Sequence, residues 1–128
     1  MTLDLIVWGP AGLHDMRSQL GALLRDSDVD PDLADDVVLA ACEIATNGFR
    51  HGEVDTVHLV SSIGPESVEL TLRHRDRSSR PDAAGDEGPA GRVPVGGRGL
   101  HIVDQICSWR YVELGPGERS TRVSFARA

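Results

Sequence analysis

The sequence predicts an α+β fold: a two-layer sandwich with a mostly antiparallel, mixed sheet covered on one face by helices. Three observations predict it. Helical and strand-like segments follow one another in the order βαα-ββ-loop-α-ββ, which suits helices layered on a sheet. The helical segments carry an apolar stripe, and the clearest strand alternates apolar with polar residues, so each element has one face to bury. The chain has 128 residues, 40% of them hydrophobic, enough for a single domain over 1–128 with a real core. Aromatic residues make up only 4%, so aliphatic side chains must build that core.

Leu3 to Val7 reads as a short strand that ends at Gly9-Pro10. Residues 11 to 25 read as a helix, with Leu13, Met16, Leu20, Leu23 and Leu24 at helical spacing. Asp30-Pro31-Asp32 is a helix start: a capping side chain, a proline in the first turn, then an acid at the positive end of the dipole. The stripe Leu33, Val37, Ala40, Ala41 and Ile44 follows, and Gly52 marks the stop. Thr56 to Ile63 and Ser67 to Arg75 read as strands joined by Gly64-Pro65-Glu66. In the second, Val68, Leu70 and Leu72 alternate with Glu69, Thr71 and Arg73, which predicts one packed face and one wet face. Residues 76 to 97 are rich in Gly, Pro, Asp and Arg, and a loop of that length inside a domain is usually functional or disordered. Gly99 to Cys107 reads as a helix, and Trp109 to Leu114 with Ser120 to Ala126 as a closing hairpin around Gly115-Pro116-Gly117.

Composition excludes several function classes. The net charge is −7, against non-specific binding to nucleic acid. All 13 basic residues are arginine, so a Walker A lysine or a Schiff base is ruled out. Cys42 and Cys107 form no CxxC pair or metal cluster and are expected to be buried free thiols. No apolar run is long enough to span a bilayer, and the first residues lack the basic region of a secretory signal, so a cytoplasmic location is expected.

Four groups of residues carry potential chemistry. Glu43 and Asn47 lie four apart, about one turn, on the border of the apolar stripe. A carboxylate there can act as general base and an amide oxygen can ligate Mg²⁺, although a polar pair on a solvated helix face has the same spacing. Asp76 shares parity with Val68, Leu70, Leu72 and His74, which directs it to the helix-covered face. A ligand N–H would satisfy it there, and a turn-forming Asp is the alternative. Gly96-Gly97-Arg98-Gly99-Leu100 opens the last helix, where glycines allow close approach and free N–H groups attract phosphate. Thr121 shares a strand face with Val123 and Phe125, so its hydroxyl needs a partner, either a ligand or a backbone carbonyl.

Taken in order, these segments resemble a known family. Glu43-Ile44-Ala45-Thr46-Asn47-Gly48-Phe49-Arg50-His51-Gly52 is similar to the N box of the GHKL (histidine kinase-like) ATPases, in the form found in the anti-sigma-factor serine/threonine kinase branch. The stretch Leu72 to Pro81 is similar to that branch's adenine-binding segment, and Gly97-Arg98-Gly99-Leu100-His101-Ile102-Val103 to its G2 box. Ser120-Thr121-Arg122-Val123 falls where the last nucleotide-contacting threonine belongs. The resemblance implies the GHKL fold with ATP and Mg²⁺ as cofactors. Glu43 would be the catalytic base, and Asn47 would hold the metal. His51 and Gly52 would complete the N box, and Asp76 would bind the adenine amino group. Residues 77 to 97 would form an ATP lid. Gly97, Arg98, Gly99 and Leu100 would approach the phosphates, and Thr121 would support the base contact. It also implies partners: a sigma factor to sequester, an anti-anti-sigma protein of the STAS type to phosphorylate, and a homodimer through the N-terminal strand and helix, with no direct contact to nucleic acid or membrane. The chain departs from the pattern at two places. Asp76-Arg77-Ser78-Ser79-Arg80 has no glycine, and Gly48 replaces the usual alanine. The alternative reading is therefore a non-catalytic, protein-binding regulatory module of the same fold.

Overall fold

The computed structural model describes residues 1–51, 54–75 and 98–127. Strand β1 (Thr2–Trp8) leads through a 3-10 turn at Pro10–Gly12 into helix α1 (Leu13–Asp26) and then helix α2 (Pro31–His51). Strands β2 (Thr56–Ile63) and β3 (Ser67–Arg75) follow, then helix α3 (Arg98–Ile106) and strands β4 (Trp109–Gly115) and β5 (Glu118–Ala126). The element order is the one expected from sequence.

Local chemistry explains the junction between the two long helices. The Asp30 carboxylate accepts hydrogen bonds from the N–H groups of Asp32 (3.1 Å) and Leu33 (3.3 Å), satisfying two donors that the start of α2 leaves open. Helix α1 ends in a Schellman arrangement: Val29 N–H donates to the Leu24 carbonyl (3.1 Å) and Asp28 N–H to that of Arg25 (3.1 Å). Asp28 takes the left-handed conformation that this ending requires, with φ at 57°. Val29 and Leu24, both buried, supply the apolar contact that accompanies it. The Arg127 guanidinium then ties this corner to the sheet, donating to the carbonyls of Gly64 (2.8 Å), Ser27 (3.3 Å) and Asp28 (3.3 Å).

The five strands form one sheet in the order β1-β2-β3-β5-β4. A mostly antiparallel sheet with some mixed pairing was expected; the sheet is antiparallel at all four pairings, because β5 turns back from β4 and inserts beside β3. Val7, Val57, Leu59, Leu70, Leu72, Val123 and Phe125 face the helices and meet Met16, Leu20, Val37, Ala41, Ile44 and Val103. Among the described residues no helix covers the other face. On it Asp4, His58, Arg73 and Glu118 form a chain of polar contacts across four strands, at 2.6, 3.1 and 3.3 Å. Trp109 stacks on Tyr111 with ring centroids 5.2 Å apart, and the Arg122 guanidinium lies over the Tyr111 ring.

Candidate functional site

Three elements converge at one end of the sheet. The chain enters α2 from the corner held by Arg127, which follows the end of β5, so α2 starts over the Ser67 end of β3. Its last turns therefore lie over the opposite end, and Gly48 meets His74 there. Helix α3 runs the other way. Its C-terminal side is anchored where Ser108 N–H donates to the Ser124 carbonyl (2.8 Å), opposite Glu69. The N-terminus of α3 thus points back toward the end of β3 that carries His74. A helix N-terminus attracts anions through its free N–H groups and dipole.

Glu43 and Asn47 are half-buried on α2 and lie about one turn apart. The buried stripe runs through Val37, Ala41, Ile44 and Gly48. At about 100° per residue, Glu43 and Asn47 sit on one side of that stripe and Cys42 on the other. Cys42 lies near Arg17 of α1 and marks the flank packed on α1, so the Glu43–Asn47 flank is the one turned to α3. Among the described residues neither Glu43 nor Asn47 has a hydrogen-bond or ion-pair partner. A half-buried carboxylate and amide left open side by side have the chemistry to take a ligand's donors or a cation.

Residues 9–125 match the histidine kinase-like ATPase domain family. The chain belongs to that family. Two solved structures share the fold of this histidine kinase-like ATPase domain. One contains the RsbU and RsbW domains of a Mycobacterium tuberculosis protein, at TM-score 0.73 and 17% identity, with 99% of this chain aligned to 32% of that one. The chain thus spans about a third of that structure. The other is the SiaB–SiaC complex from Pseudomonas aeruginosa, at TM-score 0.78 and 11% identity, with 96% of this chain aligned to 88% of that one. A comparison with curated proteins gives no match.

The structure places the sequence-predicted residues of this ATPase domain as follows. Glu43 and Asn47 come together on α2, and His51 is exposed in its last turn. Thr121 is buried at 4% exposure on the helix-covered face, opposite Leu72 and Val112, where its parity put it. Arg98 and Gly99 open α3, and Leu100 packs partly into the core. Gly52, Asp76, Gly97 and the lid over 77 to 97 lie outside the described residues. Cys42 and Cys107 form no disulfide, and both are half-buried rather than buried. Burial raises the Cys42 thiol above its ordinary value, with Arg17 opposing and Glu43 reinforcing the shift.

Among the described residues no cluster of three or more His, Cys, Asp or Glu side chains could hold a metal. Mg²⁺ does not need such a cage: it keeps waters and is commonly held by one or two protein oxygens together with substrate phosphates. Asn47, open on the flank facing α3, fits that role. The ion would supply charge neutralisation for the phosphates.

Sequence reasoning missed two features. Arg110 sits on the helix-covered face of β4, 4% exposed, and is gripped by Asp104 of α3. Its inward parity with Val112 was the signal. The other is the contact between Gly48 and His74, which no local pattern announces.

Proposed function

We propose that the chain is an ATP-binding anti-sigma regulatory factor. In this reading it transfers phosphate to a serine or threonine of a STAS-type anti-anti-sigma partner and sequesters a sigma factor, in the bacterial cytoplasm. The observation that carries the reading is the open Glu43–Asn47 pair, half-buried on the α2 flank turned toward the start of α3. Asn47 would hold Mg²⁺ against the phosphates, and Gly97, Arg98, Gly99 and Leu100 would receive them, with His51 and Gly52 closing the N box. Asp76 and Thr121 would take the adenine, and residues 77 to 97 would cover it. Glu43 would accept the proton of the attacking hydroxyl as its oxygen bonds to the γ-phosphorus and the bond to the β-phosphate oxygen breaks, releasing ADP. Positioning and charge neutralisation provide most of such catalysis.

The solved SiaB–SiaC complex supports a protein partner for this fold. A homodimer through β1 and α1 belongs to the same reading, and the exposed side chains Trp8 (71%) and Ile6 (42%) on β1 offer apolar surface for it. The absence of glycine in Asp76-Arg77-Ser78-Ser79-Arg80 favours the second reading, a regulatory module that binds its partner with little or no ATP turnover.

Calorimetry with ATP, with and without Mg²⁺, tests nucleotide binding. Magnesium-dependent binding is expected, and no heat and no thermal shift at millimolar nucleotide refutes it. Asp76→Asn should weaken binding by about 1.5–3 kcal/mol through loss of a charged acceptor. Labelled ATP with a serine-bearing partner then separates kinase from module.

A further inference from the structure

His58 stands on the face of the sheet away from the helices, between two neighbours whose hydrogen-bonding roles their chemistry fixes. Its Nε2 lies 2.6 Å from Oδ1 of Asp4 on β1, and its Nδ1 lies 3.1 Å from Nη2 of Arg73 on β3. An ionised carboxylate only accepts hydrogen bonds, and a guanidinium only donates them. The ring must therefore donate from Nε2 and accept at Nδ1. That is neutral imidazole in one tautomer: the carboxylate fixes where the proton sits, and the arginine fixes where it does not. The ladders hold the three residues in this arrangement. Arg73 is directly opposite His58, and Asp4 is two residues along β1 from Ile6, the partner of His58 on that side.

The charged groups facing the ring come from each strand of this face. Strand β1 contributes Asp4, and β2 contributes none besides His58, since Thr56, Val60 and Ser62 are its other residues there. Strand β3 contributes Arg73, with Arg75 on one side of it and Glu69 beyond Thr71 on the other. Beyond β3, β5 contributes Glu118, 3.3 Å from Arg73 Nε, and Arg122, which is paired with Glu69 at 3.1 Å. Of these groups, Asp4 and Arg73 are the two that contact the ring. A second proton, taken from water at Nδ1, changes both contacts in opposite senses. Toward Arg73 it sets an N–H against an N–H and a positive charge beside a positive charge. Toward Asp4 it turns a neutral donor into a cation paired with a carboxylate, which strengthens that hydrogen bond. Histidine is the side chain whose ordinary change of charge falls between pH 5 and 8, so a modest change in acidity reaches such a group.

We propose that His58 is a proton-operated joint on the uncovered face of the sheet. Neutral, it ties β1 to β3 by holding Asp4 and Arg73 together. Protonated, it keeps Asp4 and releases Arg73. The four-residue chain then divides into an Asp4–His58 pair on β1 and β2 and an Arg73–Glu118 pair on β3 and β5. The backbone ladder between β2 and β3 is common to both states; what the proton changes is the side-chain tie and the freedom of the Arg73 guanidinium. The joint does not depend on the nucleotide-binding reading.

The test uses the full chain at pH 8 and pH 5.5, where Asp and Glu side chains of ordinary acidity are ionised at both values. Long-range ¹H–¹⁵N spectra of the histidine rings should show His58 with a proton on Nε2 alone at pH 8 and on both nitrogens at pH 5.5. A double-mutant cycle of His58→Ala and Arg73→Gln, read by melting temperature at each pH, measures the tie. At pH 8, Arg73→Gln should lower the melting temperature by about 1–4 °C in the wild-type background and not in the His58→Ala background. At pH 5.5 that difference between backgrounds should vanish or change sign. Both variants replace surface side chains, and the spectra of the wild-type protein decide the tautomer without them. A proton on Nδ1 at pH 8, a ring still neutral at pH 5.5, or the same coupling at both pH values would each overturn the proposal.

Discussion

The Asp104 carboxylate of α3 grips the Arg110 guanidinium of β4 at two points, Oδ1 to Nε at 2.6 Å and Oδ2 to Nη2 at 2.8 Å. The arginine side chain is almost wholly withdrawn from water, at 1% exposure, and its Nη1 has no partner among the described residues. A bidentate pair of this kind fixes orientation as well as distance. It holds α3 to the edge of the sheet and so sets where the start of that helix lies.

Breaking this pair from one side should be costly. Asp104→Ala leaves a buried guanidinium without its counter-charge, and a loss of about 3–5 kcal/mol is expected. Replacing both partners by apolar residues of similar size, Asp104→Leu with Arg110→Met, should recover most of that loss. Urea unfolding midpoints of the two proteins check it. Equal destabilisation of single and double variants would contradict the account.

The Glu43 carboxylate is assigned to chemistry and Asn47 to binding, so their variants should separate. Glu43→Ala should lower the rate of phosphate transfer by about 10²–10⁴-fold while ATP affinity stays largely unchanged. Asn47→Ala should lose the magnesium dependence of binding. Single-turnover transfer to a serine-bearing partner, beside calorimetry, measures both, and equal rates for Glu43→Ala and wild type would refute the role of the carboxylate.

Burial holds the Cys42 thiol above its ordinary value; Arg17 pulls it down and Glu43 pushes it up. At pH 8 Cys42 should therefore react with iodoacetamide more slowly than a model thiol, and Glu43→Gln should speed the reaction. The sign for stability follows: the unfolded thiol releases its proton first, so the contribution is intact below about pH 8.5 and is lost as pH rises further. A labelling rate equal to that of free cysteine would contradict it.

Asp28 holds a left-handed backbone that favours glycine, at the residue that closes α1. Asp28→Gly should stabilise the protein by about 0.5–1 kcal/mol and Asp28→Val should destabilise it by about 1–2 kcal/mol, read from thermal unfolding. The reverse order would contradict the helix ending described here.

Much of this protein was legible along the chain. The start of α2 follows from Asp30-Pro31, since a cap bonds only to N–H groups two and three residues away. The limits of β2 and β3 follow from alternation and the Gly64-Pro65 turn, and the inward face of Thr121 from parity with Val123. The neighbourhood of Glu43 and Asn47 follows from helical spacing alone. These are short-range properties, set within a turn or a strand. What only the tertiary structure decided joins residues distant in sequence or packed across layers. Inserting β5 between β3 and β4 sets Thr121 against Leu72, 49 positions earlier (121 − 72). Packing α3 against the sheet edge turns an inward Arg110 from a misfit into the partner of Asp104. Closing α2 onto β3 brings the bare backbone of Gly48 against His74. Each depends on the register and depth of packing between elements, and side-chain periodicity within one element carries no information about either.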